Sequence, residues 1–128
     1  MENKVQNKKL IAIGEALIDF IPESAGSAIK DVNAFLPAVG GAPANVCGAF
    51  TKLGGKSEMI TQLGIDGFGD KILDAFKEAG IGSSYVKRTD TANTSLAFVA
   101  LKEDGNREFS FHRNPGADML FRAEDVQK

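Results

Sequence analysis

The chain has 128 residues, a length that suits one domain rather than two. Hydrophobic residues make up 43% and charged residues 25% of the sequence, and its 15 basic and 17 acidic side chains leave no excess of positive charge to attract nucleic acid. The longest apolar run is interrupted by Glu15 and Asp19, which excludes a membrane span, and the polar opening MENKVQNKK does not resemble a signal peptide.

Strands and helices alternate in the first part of the chain. Residues 10–21 form an apolar run typical of a central parallel strand. A short strand follows, with Pro37 predicted at a sheet edge, and a helix then begins at Pro43 and ends before Gly54-Gly55. The buried stripe of this helix is predicted to contain Val46, Phe50 and Leu53, with Cys47 and Ala49 beside them.

The same alternation continues with the strand SEMITQLG. The next helix is predicted to be capped by Asp66 and to end at Gly80, with a buried stripe of Phe68, Ile72, Leu73 and Phe76. SSYVKR forms a further short strand. This order of strands and helices predicts a parallel sheet with helices packed on it.

A β-hairpin is predicted in residues 94–113, because Asp104-Gly105 separates two apolar strands. A two-residue turn there pairs residues whose numbers add to 209, so Phe98 lies opposite Phe111 and Leu96 lies opposite Arg113. Phe98 and Arg113 are therefore predicted to share one face of the hairpin, directed at Asp19. A lone hairpin cannot protect two partly apolar faces, so we expect it to cover a site or to meet a partner.

The stretch AVGGAPANV indicates a binding site where the first strand and the first helix meet. Ligands of open α/β sheets bind beyond the carboxyl ends of the strands, and we expect Asp19 and Asn45 to point into one cleft there. The Gly40-Gly41 backbone would form its floor, because glycine lets a ligand approach the main chain. Carboxylate and amide groups suit a neutral polyhydroxy compound better than a phosphate.

Each of these features also has a purely structural interpretation. A Gly-Gly-x-Pro stretch before a helix can be a plain turn, and Asp19 can cap a loop. Arg113 can be a solvated edge residue, and Phe98 can serve packing alone. His112 and Cys47 have no neighbours in sequence that would make them catalytic or metal-binding, so neither kind of residue is predicted in this chain.

Four segments carry a resemblance to a known family: IGEALIDF, GGAPANVCGAFTKLGG, TQLGIDGFGDKILDAFKEAGI and FSFHRNPGADMLF. In this order and spacing, over residues 9–128, they resemble the ribokinase (PfkB) family of carbohydrate kinases, and within it the fructokinases. The resemblance implies an α/β fold in which a parallel sheet with flanking helices carries a small β lid. The core would comprise about residues 9–32 and 40–90, and the lid segments about 33–39 and 93–113.

The resemblance also implies roles for individual residues. Asp19 would bind sugar hydroxyls, and Gly40, Gly41 and Asn45 would complete the acceptor site. Phe98 would face the sugar from the lid, and Arg113 would stand near the reacting end. In parts of the family the lid also forms a dimer contact, which makes a homodimer an expectation here.

The implied reaction is phosphorylation of fructose by ATP with Mg²⁺. Family members are more than twice this length, and their general base lies in an Asp-Thr-x-Gly-Ala-Gly-Asp motif that this sequence lacks. We therefore expect the chain to be the N-terminal portion of such a kinase, to hold no catalytic base and to bind neither ATP nor Mg²⁺ alone.

Several alternatives remain open on the sequence alone. The substrate can be another sugar or a nucleoside, as relatives in this family show. His112 stands where fructokinases usually have Tyr, which bears on the preference among sugars. The chain can also be a non-catalytic module that binds a sugar or dimerises. Cys47 is the single cysteine, which rules out an internal disulfide and favours a cytoplasmic location.

Overall fold

The computed structural model describes residues 8–126, so most of the polar N-terminal segment and the last two residues lie outside the described part. The strands there are β1 Lys9–Ile13, β2 Leu17–Pro22, β3 Phe35–Gly40, β4 Lys56–Gly64, β5 Ile81–Gly82, β6 Val86–Thr89, β7 Leu96–Leu101 and β8 Arg107–His112. The α-helices are α1 Ala42–Lys52, α2 Gly67–Ala79 and α3 Ala123–Val126, and 3-10 helices cover Ile29–Asp31 and Ala117–Leu120. No helix within residues 8–126 is long and apolar enough to cross a membrane.

The first sheet is entirely parallel, as the alternation of strands and helices predicts. Its central strand β4 pairs with β1 on one side and with β5 and β6 on the other. Every residue of β4 after Lys56 is buried, as expected of a strand covered on both faces. The main core cluster contains Met59 and Leu63 of β4, Cys47 of α1, and Ile72 and Phe76 of α2.

The second sheet is mixed and has the strand order β3-β2-β7-β8. Strand β2 runs parallel to β7, and the two outer pairs are antiparallel. The prediction that Pro37 lies in an edge strand is confirmed, because β3 forms one border of this sheet.

The prediction of one continuous strand over residues 10–21 is wrong. The chain breaks at Gly14 into β1 and β2, which belong to different sheets. Gly14 has φ +153°, and a Cβ there would lie 2.6 Å from Cγ of Pro43, so the break depends on a residue without a side chain. Asp19 consequently lies within the second sheet and not at the end of a core strand.

The predicted buried stripe of α1 is wrong for Val46 and Leu53 and confirmed for Cys47. Val46 is 54% exposed and Leu53 is 88% exposed, whereas Ala44 and Cys47 are buried. Small residues face the sheet because α1 packs closely against β1 and β4, with Cys47 Sγ 3.6 Å from the carbonyl oxygen of Glu58. The small size of the side chains, rather than their hydrophobicity, therefore determines which residues of α1 face the sheet.

The predicted caps of α2 are confirmed. Asp66 accepts a hydrogen bond from the Gly69 amide at 2.8 Å, and Gly80 ends the helix with φ +78°. Ile72 and Phe76 are buried as expected, but Phe68 in the first turn is 39% exposed.

The predicted hairpin register is wrong by one residue. The paired residues of β7 and β8 have numbers that add to 208, so Phe98 lies opposite Ser110 and Val99 lies opposite Phe109. The loop has three residues, because the Gly105 amide bonds the Lys102 carbonyl and Gly105 adopts φ +84°. A one-residue shift moves one strand's side chains to the other face relative to its partner.

Candidate functional site

The second sheet has two chemically different faces, which follow from the strand register. We call the first the Asp19 face; it carries Asp19, Ile21, Leu36, Ala38, Gly40, Ala97, Val99, Leu101, Arg107, Phe109 and Phe111. We call the second the aromatic face; it carries Phe20, Phe35, Phe98 and His112 among others. Asp19 is the one carboxylate that the register places on the Asp19 face within the described strands.

Asp19 lies directly over Gly40 of the neighbouring strand. A Cβ on Gly40 would overlap the Asp19 carboxylate, so only glycine leaves room for the acid in this position. Gly41 has φ +104°, and a Cβ there would lie 2.7 Å from the carbonyl oxygen of Glu15. The two glycines therefore bring the backbone before α1 against both Asp19 and the β1–β2 turn.

A cleft of about 290 Å³ opens on the Asp19 face. Its walls are mainly apolar, and Asp19 and Arg107 supply its charges. The lining residues are Asp19, Ile21, Pro22, Val99, Leu101, Arg107 and Phe109. An apolar cleft with a few polar groups that fix orientation is the usual form of a small-molecule site.

The carboxylate of Asp19 is available to a ligand. Burial, with a smaller contribution from the charge of Glu15, raises the pKa of Asp19 above its ordinary value. Among the described residues no side chain or backbone amide donates a hydrogen bond to this carboxylate. Its oxygens can therefore accept hydrogen bonds from the hydroxyl groups of a bound molecule.

Asn45 lies near the start of α1. Its side chain is exposed and borders a groove between α1 and α2, beside Ala75 and Phe76. The lining of the cleft that contains Asp19 includes neither Asn45 nor the two glycines before α1. The structure brings Gly40 against the Asp19 carboxylate and Gly41 against Glu15.

Phe98 does not face Asp19. Its ring stacks on Phe20 with centroids 4.6 Å apart and meets the edges of Phe35 and His112 at 5.3 and 5.1 Å. This cluster lies on the aromatic face, opposite to Asp19. The prediction that Phe98 and Arg113 share a face directed at Asp19 is wrong, because it depended on a two-residue turn.

Arg113 lies just beyond the end of β8 and bridges two carboxylates. Its Nη1 is 2.9 Å from Oε2 of Glu15, and its Nη2 is 3.5 Å from Oδ2 of Asp118. The sequence interpretation missed both partners, as it missed Val99 and Phe109 in the cleft. Strand alternation with a three-residue loop would have placed Val99 and Phe109 on the Asp19 face, whereas no local pattern pointed to Glu15 and Asp118.

No group of three or more His, Cys, Asp or Glu side chains within residues 8–126 is arranged to hold a metal ion.

Comparisons with known proteins agree with this architecture. The family model for pfkB family carbohydrate kinases matches residues 7–128. A probable fructokinase-5 of Arabidopsis thaliana is 48% identical over 119 residues, which are 93% of this chain and 37% of that protein.

Solved structures give the same result. A fructokinase from Xylella fastidiosa superposes with a TM-score of 0.81 at 47% identity, covering 91% of this chain and 36% of its own. A structure of fructokinase from the same organism with bound ATP superposes with a TM-score of 0.78 at 48% identity, covering 91% of this chain and 34% of its own. The chain thus spans little more than a third of the length of these relatives. The fold is the expected ribokinase-like α/β fold, and the chain belongs to the PfkB family of carbohydrate kinases.

Proposed function

We propose that the full-length protein carrying this chain phosphorylates fructose with ATP, and that the described residues supply the sugar-binding part of its active site. The proposal is supported by 48% identity to a probable fructokinase and 47% identity to a fructokinase of known structure. ATP as the phosphoryl donor is supported by the related structure that contains it.

The observation that carries the proposal is the Asp19 carboxylate in its cleft. It lies on the Gly40 backbone among apolar walls, with acceptor oxygens that no described donor uses. A carboxylate in this position accepts hydrogen bonds from hydroxyl donors. A neutral sugar fits these requirements, because its hydroxyls bind Asp19 while its C–H surface packs against the apolar walls.

Each site residue has a proposed role. Asp19 accepts hydrogen bonds from sugar hydroxyls, and the Gly40-Gly41 backbone lets the sugar approach the main chain. Asn45 and Arg113 are proposed as further sugar contacts on the resemblance to the family. Val99 and Phe109 line the cleft and take the packing role first expected of Phe98.

Strands β3, β7 and β8, which share the second sheet with β2, are proposed to act as a lid that excludes water from the bound sugar. We retain the division of the chain into a core of about 9–32 and 40–90 and lid segments of about 33–39 and 93–113. A homodimer contact through the lid is proposed on the resemblance to the family.

The ATP and Mg²⁺ sites are assigned to the part of the kinase that this chain does not span. No residue of this chain is proposed as a Mg²⁺ ligand. A cytoplasmic location is proposed from the single cysteine of the chain, Cys47.

The test is a substrate screen with the purified full-length protein. Phosphoryl transfer from ATP would be measured with fructose, glucose, ribose and a nucleoside, and we expect the highest kcat/KM with fructose. A preference for another sugar or a nucleoside would correct the substrate. Binding of a sugar without any phosphoryl transfer would instead indicate a non-catalytic binding module.

A pair of matched variants tests the site itself. Asp19→Asn is expected to lower kcat/KM for fructose by at least about tenfold, since a hydrogen bond between a charged group and a hydroxyl is worth about 1.5–3 kcal/mol. Asp70→Asn makes the same change on an exposed residue of α2, and its kinetics should equal those of wild type. Fructose kinetics of Asp19→Asn within twofold of wild type would exclude Asp19 from the site.

A further inference from the structure

A buried acid lies behind the candidate site. The side chain of Asp118, in the 3-10 helix Ala117–Leu120, is only 4% exposed. Its Oδ1 accepts a hydrogen bond from Ser95 Oγ at 2.5 Å. Its Oδ2 has no hydrogen-bond partner among the described residues, and the guanidinium of Arg113 is 3.5 Å away. A buried carboxylate needs such a counter-ion, because an unpaired buried charge is strongly unfavourable.

Arg113 connects this buried acid to the turn between β1 and β2. One guanidinium nitrogen faces Asp118, and another donates to Glu15 in the turn at 2.9 Å. The planar guanidinium can serve two carboxylates at once, which the point charge of a lysine does less well. Glu15, Arg113 and Asp118 thus form a charged bridge across segments far apart in the chain.

Both ends of the bridge touch the elements that hold Asp19. The Glu15 carbonyl packs against Gly41, where a Cβ would lie 2.7 Å from its oxygen. At the other end, the Ser95 carbonyl accepts a hydrogen bond from the Ile18 amide, next to Asp19 in β2. The bridge therefore fixes the β1–β2 turn and the start of β7 relative to each other, with Asp19 between them.

The 3-10 helix that carries Asp118 is itself anchored to the core. The amide of Ala117 bonds the Asn93 carbonyl at 2.8 Å, and the Gln62 side chain of β4 bonds the Ala117 carbonyl at 2.8 Å. Gly116 packs so closely that a Cβ would overlap Ser95 Oγ. Asp118 is consequently a rigid point from which Arg113 can be oriented.

We propose that Asp118 is a positioning residue of the sugar site, acting through Arg113 and Glu15 to hold the β1–β2 turn so that Asp19 lies correctly over Gly40. The inference rests on the proposed function. It assigns to Asp118 and Glu15 no contact with the sugar, and it gives the guanidinium of Arg113 a fixed orientation at the site. An error of about 1 Å in a positioned group can cost about a hundredfold in rate, so such a bridge affects sugar use strongly.

The test uses the full-length protein and a double-mutant cycle. Asp118→Asn keeps an acceptor for Ser95 but removes the charge that faces Arg113. Glu15→Gln removes the charge that faces Arg113 at the other end of the bridge. We expect each to raise KM for fructose about fivefold or more while KM for ATP stays within twofold of wild type. The double variant should raise KM little beyond the larger single effect, because both substitutions act through the same guanidinium.

Asp70→Asn serves as the matched control, since it breaks an Arg–carboxylate pair, with Arg88, on an exposed surface of α2. Its KM for fructose should not change. If Asp118→Asn does not fold, the kinetics of Glu15→Gln test the inference alone. Glu15 is 34% exposed, so we expect the fold to tolerate the loss of its charge.

Three outcomes would overturn the inference in a wild-type protein that phosphorylates fructose. They are unchanged KM for fructose in both single variants, equal increases in KM for fructose and ATP, and multiplicative effects in the double variant. A wild-type protein that phosphorylates no sugar would instead contradict the proposed function, from which the inference starts.

Discussion

The Asp19 carboxylate fills the space that a side chain at position 40 would occupy. Gly40 therefore allows the site to be tested at the scale of a single residue. In Gly40→Ala the new methyl group overlaps the Asp19 carboxylate, so the acid must turn away from its present position. We expect KM for fructose to rise about tenfold or more in the full-length protein. Steady-state kinetics with fructose and with ATP as the varied substrate would measure this.

Gly48 in α1 supplies the control for that substitution. A Cβ there meets only Ile81 Cδ1, at 3.9 Å, so Gly48→Ala introduces no clash. Alanine in a helix interior is more favourable than glycine by about 0.5–1 kcal/mol, and the variant should be more stable with unchanged kinetics. Equal kinetic losses in both alanine variants would show that the Gly40 effect is not local.

The raised pKa of Asp19 predicts that its ionised carboxylate lowers the stability of the folded protein. A carboxyl whose pKa is higher in the folded than in the unfolded state holds its proton more tightly when folded, so stability falls as pH rises through that interval. Asp19→Asn removes this cost. We expect the variant to be more stable than wild type at pH 7, and the difference to vanish at pH 3.

Urea unfolding of both proteins between pH 3 and pH 8 measures this difference. The free energies of unfolding should diverge as pH rises from the acid end. Curves that instead converge towards neutral pH would show that Asp19 has a stabilising partner in the folded protein.

At the scale of secondary-structure elements, Asp66 connects helix α2 to the start of β7 in the second sheet. Its carboxylate caps α2 through Gly69 and also accepts hydrogen bonds from the Thr94 amide and hydroxyl at 2.8 Å, just before β7. Burial raises the pKa of Asp66, but hydrogen bonds from Thr94 and Gly69 and the charge of Arg88 outweigh it and lower the pKa below its ordinary value.

Asp66→Ala is therefore expected to lower the free energy of unfolding by about 1–3 kcal/mol at pH 7. A depressed pKa contributes stability above the unfolded-state pKa, and this contribution is lost as pH falls through the folded-state pKa. The difference between wild type and variant should shrink below pH 4. Chemical denaturation across that range measures it, and a difference independent of pH would mean that the charge of Asp66 contributes nothing.

The hairpin shows why one element was predictable and its register was not. The apolar strands around Asp104-Gly105 correctly indicated β7 and β8, because strand alternation is a local signal. Asp-Gly occurs both in two-residue loops and in three-residue loops with glycine at the left-handed position, and the local sequence does not separate them. The face of Phe98 depended on this one residue and was assigned wrongly.

At the scale of the whole molecule, the sequence predicted the parallel sheet and its helices. It did not predict that the chain leaves the first sheet after β1 and enters the second sheet as β2. The apolar run of residues 10–21 looks continuous, and only the packing of Gly14 against Pro43 breaks it. Asp19 lies beside Gly40 as expected, but for a different reason, because Asp19 belongs to the second sheet and not to the end of a core strand. The bridge from Glu15 to Asp118 could not be inferred from the sequence, because it joins segments about a hundred positions apart through the folded chain.

The last prediction concerns residues 1–128 as a separate polypeptide. Strand β1 forms one border of the first sheet, and Ile11 and Ile13 on it are 53% and 59% exposed. An apolar face on an unpaired edge strand favours association between molecules. We expect the isolated chain to be marginally stable, to self-associate, to bind ATP weakly and to transfer no phosphoryl group to fructose.

Sedimentation velocity measures the association, and the variant Ile11→Lys should reduce it, because a charged side chain on an edge strand opposes pairing. Calorimetry with ATP and an assay of fructose phosphorylation test the rest. Leu53→Lys is the control, since Leu53 is 88% exposed but follows α1 and belongs to no strand, and it should leave association unchanged. Phosphorylation of fructose that Asp19→Asn abolishes, or micromolar affinity for ATP, would show that this segment contains a complete kinase site.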